Sequence, residues 1–166
     1  MVFPVEPGRY ALTRNPYVEY TDWDWEIDPS CLRYEMRYLW DHYHLPMMIT
    51  ENGYGAHETK DADGQVHDQG RIDYLREHIY QLGMGHRGRL ARSSPYNPWS
   101  FTDLLSTGNG MAKRYGLVYI DTTDEEQNAA KSVEELSMKR IRKDSFYWYS
   151  KLIRSNGQDW GKEMLK

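Results

Sequence analysis

The run Met47-Met48-Ile49-Thr50-Glu51-Asn52-Gly53 constrains this chain most, because an apolar stretch too short for a helix ends in a carboxylate and Asn-Gly. It predicts a buried strand from Pro46 to Thr50 that delivers Glu51 to a turn shaped by Asn52 and Gly53. In parallel α/β folds the carboxyl ends of strands are where ligands bind and catalytic groups gather. Glu51 is therefore a candidate functional carboxylate. The competing reading is a solvated turn residue.

The flanking pattern alternates helices with short strands. Asp28 to His42 reads as a helix with Asp28 as cap, Pro29 at its first position, and Leu32, Met36, Leu39 and Tyr43 on one face. Asp68 to about Met84 reads as a second helix, with Ile72, Leu75, Ile79 and Leu82 facing a core. Between them Ala62-Asp63-Gly64 marks a loop or small hairpin. Tyr96 to Trp99 ends a second strand, Leu117 to Ile120 is a short strand outside the main sheet, and Asp144 to about Asn156 is a closing helix.

Five ordered stretches resemble glycoside hydrolase family 1, the β-glucosidases and 6-phospho-β-glucosidases. Asn15-Pro16-Tyr17 leads into Trp23-Asp24-Trp25-Glu26-Ile27-Asp28-Pro29, and the strand ending in Glu51 is similar to the family's nucleophile motif. Asp68-Gln69-Gly70-Arg71-Ile72-Asp73-Tyr74-Leu75 resembles the helix that follows it. Tyr96-Asn97-Pro98-Trp99 with Lys113-Arg114-Tyr115-Gly116-Leu117 resembles the last barrel strand and its loop, and Lys143-Asp144-Ser145-Phe146-Tyr147-Trp148 the terminal helix. The resemblance covers about Asn15 to Gly157. It implies an α/β fold that is a partial TIM (β/α)8 barrel: the last two barrel strands with flanking helices, in a single C-terminal piece spanning 1–166.

A complete barrel needs about 250 residues, so 166 are too few. Two barrel strands without neighbours leave open edges and exposed apolar faces, and the expectation is poor stability alone.

The resemblance implies that Glu51 is the nucleophile of a retaining glycosidase, which also needs an acid/base carboxyl about 5 to 5.5 Å away. The family holds that acid in an Asn-Glu-Pro motif, and this sequence contains none. The chain by itself is expected to be inactive or nearly so. Trp99 is expected to lie under the sugar. In family register Ser106, Lys113 and Tyr115 are the three residue types that hold a 6-phosphate, since hydroxyl donors and an ammonium suit that anion. Thr107 stands where 6-phospho-β-galactosidases tend to carry Trp, which favours a gluco substrate. The implied substrate is a phosphorylated β-glucoside, and the implied partner a missing N-terminal barrel segment. Two alternatives stand beside this: a degenerate remnant that at most binds a sugar phosphate, and a piece of an enzyme for unphosphorylated β-glucosides.

Residues 85–95 depart from the family. Gly85-His86-Arg87-Gly88-Arg89-Leu90-Ala91-Arg92-Ser93-Ser94-Pro95 is polar and basic where the family has a helix end and an apolar strand. One codon choice for Gly-His-Arg-Gly-Arg, shifted by a nucleotide, encodes the family-like Ala-Ile-Glu-Asp-Gly. A local frame shift is the expected origin, with an Arg-Gly nucleic-acid patch or an exposed loop as the competing readings.

A net charge of -4 carries no nucleic-acid signature. No apolar run reaches the roughly 18 to 20 residues of a membrane span, and no signal peptide is evident. The single Cys31 cannot form an internal disulfide, which fits a reducing cytoplasm, and it reads as a small buried filler. The six histidines show no metal-ligand spacing, so neither metal nor cofactor is expected.

Overall fold

The computed structural model describes residues 13–85 and 95–161. Its elements are β1 (Glu19–Tyr20), β2 (Glu26–Ile27), α1 (Ser30–Tyr43), β3 (Ile49–Gly53), α2 (Gln69–Gly85), β4 (Tyr96–Trp99), β5 (Val118–Asp121), α3 (Asp124–Ala129), β6 (Lys139–Arg142) and α4 (Asp144–Arg154). The strands form three separate pairs: β1 with β2 and β5 with β6 are antiparallel, while β3 and β4 are parallel. No closed barrel exists among the described residues.

The core lies where α2 and α4 meet. Ile72, Leu75, Leu117, Trp148 and Leu152 are buried together, with Ile79, Tyr96 and Tyr149 packed against them. On α2 this is the expected face, because residues spaced three and four apart share one side of a helix. On α4 the buried positions Ser145, Trp148 and Leu152 follow the same spacing.

Helix α1 is covered on only part of its expected face. Met36 is 3% exposed, but Leu39 is 37% and Tyr43 65% exposed. Of the described helices it packs against α2, and one partner covers one strip. Beyond β4, Tyr96, Pro98, Phe101, Phe146, Tyr149 and Ile153 line an open groove of about 440 Å³. These are the exposed apolar faces anticipated for strands without neighbours.

Several local expectations are corrected. The strand at Glu51 runs Ile49–Gly53 rather than 46–50, so Glu51, Asn52 and Gly53 lie within it and not in a turn. Pairing with β4 extends it: Asn52 sits opposite Pro98 and Gly53 opposite Trp99, after a register shift. Pro29, not Asp28, occupies the cap position of α1, and Asp28 Oδ1 accepts from Ser30 N at 3.1 Å and from its hydroxyl at 2.5 Å. Cys31 is exposed rather than a buried filler, because it lies on the outer side of the first turn of α1. As expected, Ala62-Asp63-Gly64 lies in a loop, a turn held by the Asp61 side chain, which accepts from Asp63 N and Gln65 N at 2.9 and 2.8 Å. Of the anomalous segment, 86–94 lie outside the described residues. No described helix is long and apolar enough to cross a membrane.

Candidate active site

Strand β3 and its continuation touch both halves of the expected site. At Gly53 a Cβ would stand 2.1 Å from the Trp99 carbonyl oxygen, and at Gly55 another would stand 2.6 Å from Lys113 Cε. At Gly53, which faces backbone, only glycine permits so close an approach. The chain leaving Glu51 thus runs first against Trp99 and then against Lys113.

Glu51 is exposed, and its side chain makes no hydrogen bond among the described residues. Its neighbour Asn52 is fixed: Nδ2 donates to the Tyr74 hydroxyl at 3.1 Å, and Oδ1 accepts from the Tyr96 hydroxyl at 2.5 Å. Burial pushes the Tyr96 phenol far up, so it remains a donor. Trp99, 37% exposed, ends β4, and the next residue binds the opposite loop through Ser100 N and Tyr115 O at 3.4 Å.

That loop brings Ser106, Lys113 and Tyr115 together. Ser106 and Gly110 exchange two backbone hydrogen bonds of 3.0 Å, which closes a small loop. Its far end is held by Asp124, whose carboxylate accepts from Met111 N at 2.7 Å and Ala112 N at 3.1 Å. Ala56 and Arg114 then pair their backbones at 3.0 and 2.9 Å, laying Lys113 beside Gly55. The Ser106 and Tyr115 hydroxyls are 3.3 Å apart, and Lys113 Nζ is 5.3 Å from the Tyr115 ring centre. Lys113 is 3% exposed and has no carboxylate partner among the described residues. Its ammonium instead faces Trp25 at 3.4 Å and Trp23 at 5.5 Å from their ring centres. Among the described residues no hydrogen bond or ion pair joins the Glu51 side chain to this trio.

Behind the loop lies a buried ionic network that sequence reasoning missed. Arg71, 1% exposed, pairs with Glu58 and with Asp68 at 3.0 Å. It also donates to the carbonyls of Tyr54, Tyr115 (2.7 Å) and Arg114 (3.2 Å), so one guanidinium ties the segment after β3 to the loop. Lys143 bridges Glu58 and Asp103, and Arg114 reaches Asp103 at 3.5 Å and the carbonyls of Ile120 and Thr122. Burial pushes the Asp68 carboxyl up, while the Ser145 hydroxyl and N–H pull it down by hydrogen bonding. The signal available in sequence was the Asp-x-x-Arg spacing of Asp68 and Arg71, which puts both on one helix face. The roles of Trp23 and Trp25 were likewise missed, since the hairpin that carries them lies far from the loop in sequence.

The fold and this site define a class. The Glycosyl hydrolase family 1 model matches residues 5–158, so the chain belongs to that family. The match begins ten residues earlier than the motifs alone indicated. The chain is 43% identical over 146 residues to the aryl-phospho-β-D-glucosidase BglA of Bacillus subtilis, covering 87% of this chain and 29% of the relative. It is 41% identical to the 6-phospho-β-glucosidase AscB of Escherichia coli, covering 88% and 29%. Among solved structures, a β-glucosidase from Thermotoga maritima bound to castanospermine superposes with a TM-score of 0.74 at 33% identity, covering 92% of this chain and 32% of that one. The chain thus spans about a third or less of the length of the relatives it matches.

Proposed function

We propose that this chain is the C-terminal part of a 6-phospho-β-glucosidase, forming the last two strands of a TIM barrel. In the whole enzyme Glu51 attacks the anomeric carbon, and a separate carboxyl on the missing part protonates the leaving oxygen. Trp99 packs beneath the sugar ring. Ser106, Lys113 and Tyr115 hold the 6-phosphate, the ammonium supplying charge and the two hydroxyls supplying donors.

The observation that favours the phosphorylated substrate is the buried Lys113 ammonium, which has no carboxylate partner among the described residues. Burying an unpaired charge is costly, and an anionic ligand relieves that cost. The relatives point the same way, since the phospho-β-glucosidases of Bacillus subtilis and Escherichia coli are 43% and 41% identical. Alone, the chain lacks the acid/base partner, and assisted departure and water activation are each worth about 10² to 10⁴ in rate.

The reading is tested by mixing the chain with an N-terminal family piece containing Asn-Glu-Pro and assaying a chromogenic 6-phospho-β-glucoside. Activity is expected in the mixture only, and Glu51→Gln lowers it by more than about 10³-fold. Equal rates on the glucoside and its 6-phosphate favour the unphosphorylated substrate instead. An inactive mixture in which both pieces fold and associate favours the degenerate remnant.

A further inference from the structure

We propose that Trp25 is a positioning residue for Lys113, its indole face holding the ammonium in the anion pocket; this rests on the phosphate reading above.

The hairpin that presents Trp25 is built for the purpose by one buried threonine. Thr21 Oγ1 accepts from Trp23 N at 3.3 Å and Trp25 N at 3.1 Å, and Thr21 N donates to the Trp25 carbonyl at 2.8 Å. Asp24 completes the turn with a φ of 58°, a left-handed conformation that Asp tolerates. Asp22 fastens the hairpin to the segment after β3, its Oδ2 accepting from His57 N at 3.2 Å. Trp25 therefore reaches Lys113 from a segment some ninety residues away in sequence, on a turn that is locked at both ends.

The ammonium lies 3.4 Å from the Trp25 ring centre, nearer than to Tyr115 at 5.3 Å or Trp23 at 5.5 Å. An aromatic face attracts a cation through its quadrupole without carrying a charge. A carboxylate in the same place would neutralise Lys113 and repel a phosphate. An indole fixes the ammonium and leaves its charge and its N–H bonds for an incoming anion. Gly55 lies against the same side chain, where a Cβ would stand 2.6 Å from Lys113 Cε.

The test uses the full chain, with glucose 6-phosphate and glucose as probes. Trp25→Phe keeps an aromatic face, whereas Trp25→Leu keeps bulk without one. In the wild type the Lys113 ε-methylene protons are expected well upfield, shifted by the indole ring current, and Trp25→Leu returns them to their ordinary position. Glucose 6-phosphate affinity is expected to fall by about tenfold in Trp25→Leu and by less than about threefold in Trp25→Phe, the range of a desolvated cation–π contact. Equal affinity in the wild type and Trp25→Leu, or unshifted ε-protons in the wild type, overturns the role of Trp25 while Lys113→Ala still weakens binding. A wild type that does not bind glucose 6-phosphate, or a Lys113→Ala variant that binds it unchanged, overturns the phosphate reading and this inference together. Where Trp25→Leu unfolds, the wild-type proton shift decides alone.

Discussion

Around Glu58, Asp68 and Asp103 each of the buried cations Arg71, Arg114 and Lys143 has an anion, whereas Lys113, one residue from Arg114, is as buried and has aromatic rings instead. Three carboxylates face three cations in the first region, and other donors of the two arginines go to backbone carbonyls and the Tyr119 hydroxyl. The second region holds one cation, two hydroxyls and three rings. A closed set of charges has nothing left to offer a ligand and serves to lock segments together. An open one keeps its interaction capacity for something that arrives later. The two are joined physically, because Arg71 donates to the carbonyls of Arg114 and Tyr115, so the closed set fixes the backbone on which the open set is mounted.

Breaking the closed set has the largest expected effect. Arg71→Met leaves Glu58 and Asp68 short of a buried partner, and such losses cost about 3 to 5 kcal/mol. Urea unfolding followed by Trp fluorescence should show that drop or no folded state at all. Lys113→Met removes a buried charge that has no carboxylate partner among the described residues, and is expected to leave stability unchanged or raise it. Comparable losses at the two positions would erase the distinction between the regions.

The next effect sharpens the comparison from the ligand side. Lys113→Met is expected to weaken glucose 6-phosphate binding by about 10- to 100-fold, the worth of a charged hydrogen bond, with glucose binding unaltered. Ser106→Ala removes a neutral donor, worth about 1 kcal/mol, and should cost about fivefold. Calorimetric titration separates the two. An Ala at 106 as harmful as a Met at 113 would mean that the loop's shape, not the ammonium, dominates.

The two regions also differ in how far the sequence foretold them. Ser106, Lys113 and Tyr115 lie within ten residues, so family register singles them out together, and the Ser106–Gly110 closure and the Ala56–Arg114 bridge shape the loop that carries them. The hydrophobic face of α2 was legible because helical spacing alone specifies it. Lys143 and Asp103, forty residues apart, and Lys143 and Glu58, eighty-five apart, meet only through tertiary structure. Local pattern reads a charged residue as solvated unless its partner is near in sequence. Strand β6 and helix α3 escaped for related reasons: Lys139-Arg140-Ile141-Arg142 has no apolar alternation and is a strand because it pairs with β5, and α3 is a short turn made by the Thr123–Glu126 capping box. Glu51 was placed in a turn because Asn-Gly favours one, and pairing with β4 overrode that preference.

The smallest expected effect concerns a third kind of charge arrangement, exposed and titratable. His67 bridges two elements, its Nδ1 lying 2.7 Å from Asp144 on α4 and its Nε2 3.1 Å from Asp61 in the preceding turn. The hydrogen bond to Asp144 and then its charge raise the His67 pKa above the ordinary value. A group raised on folding stabilises the native state fully below its unfolded pKa, about 6.5 for histidine, and loses that contribution as the pH climbs through the folded value. Asp61 has the opposite sense: the N–H of Gln65 first, then that of Asp63 and the His67 ring, lower its pKa, so its contribution persists well into acid. The wild-type melting temperature is therefore expected to decline slightly from weakly acidic to weakly alkaline pH, and His67→Asn to flatten that slope. Because the pair is open to water, added salt should shrink the slope as well, whereas the Arg71 network, being dry, should keep its full effect in the same salt. A slope that survives both the substitution and the salt would place the titrating group elsewhere, and not at His78, whose pKa burial lowers, so that its contribution makes stability rise with pH.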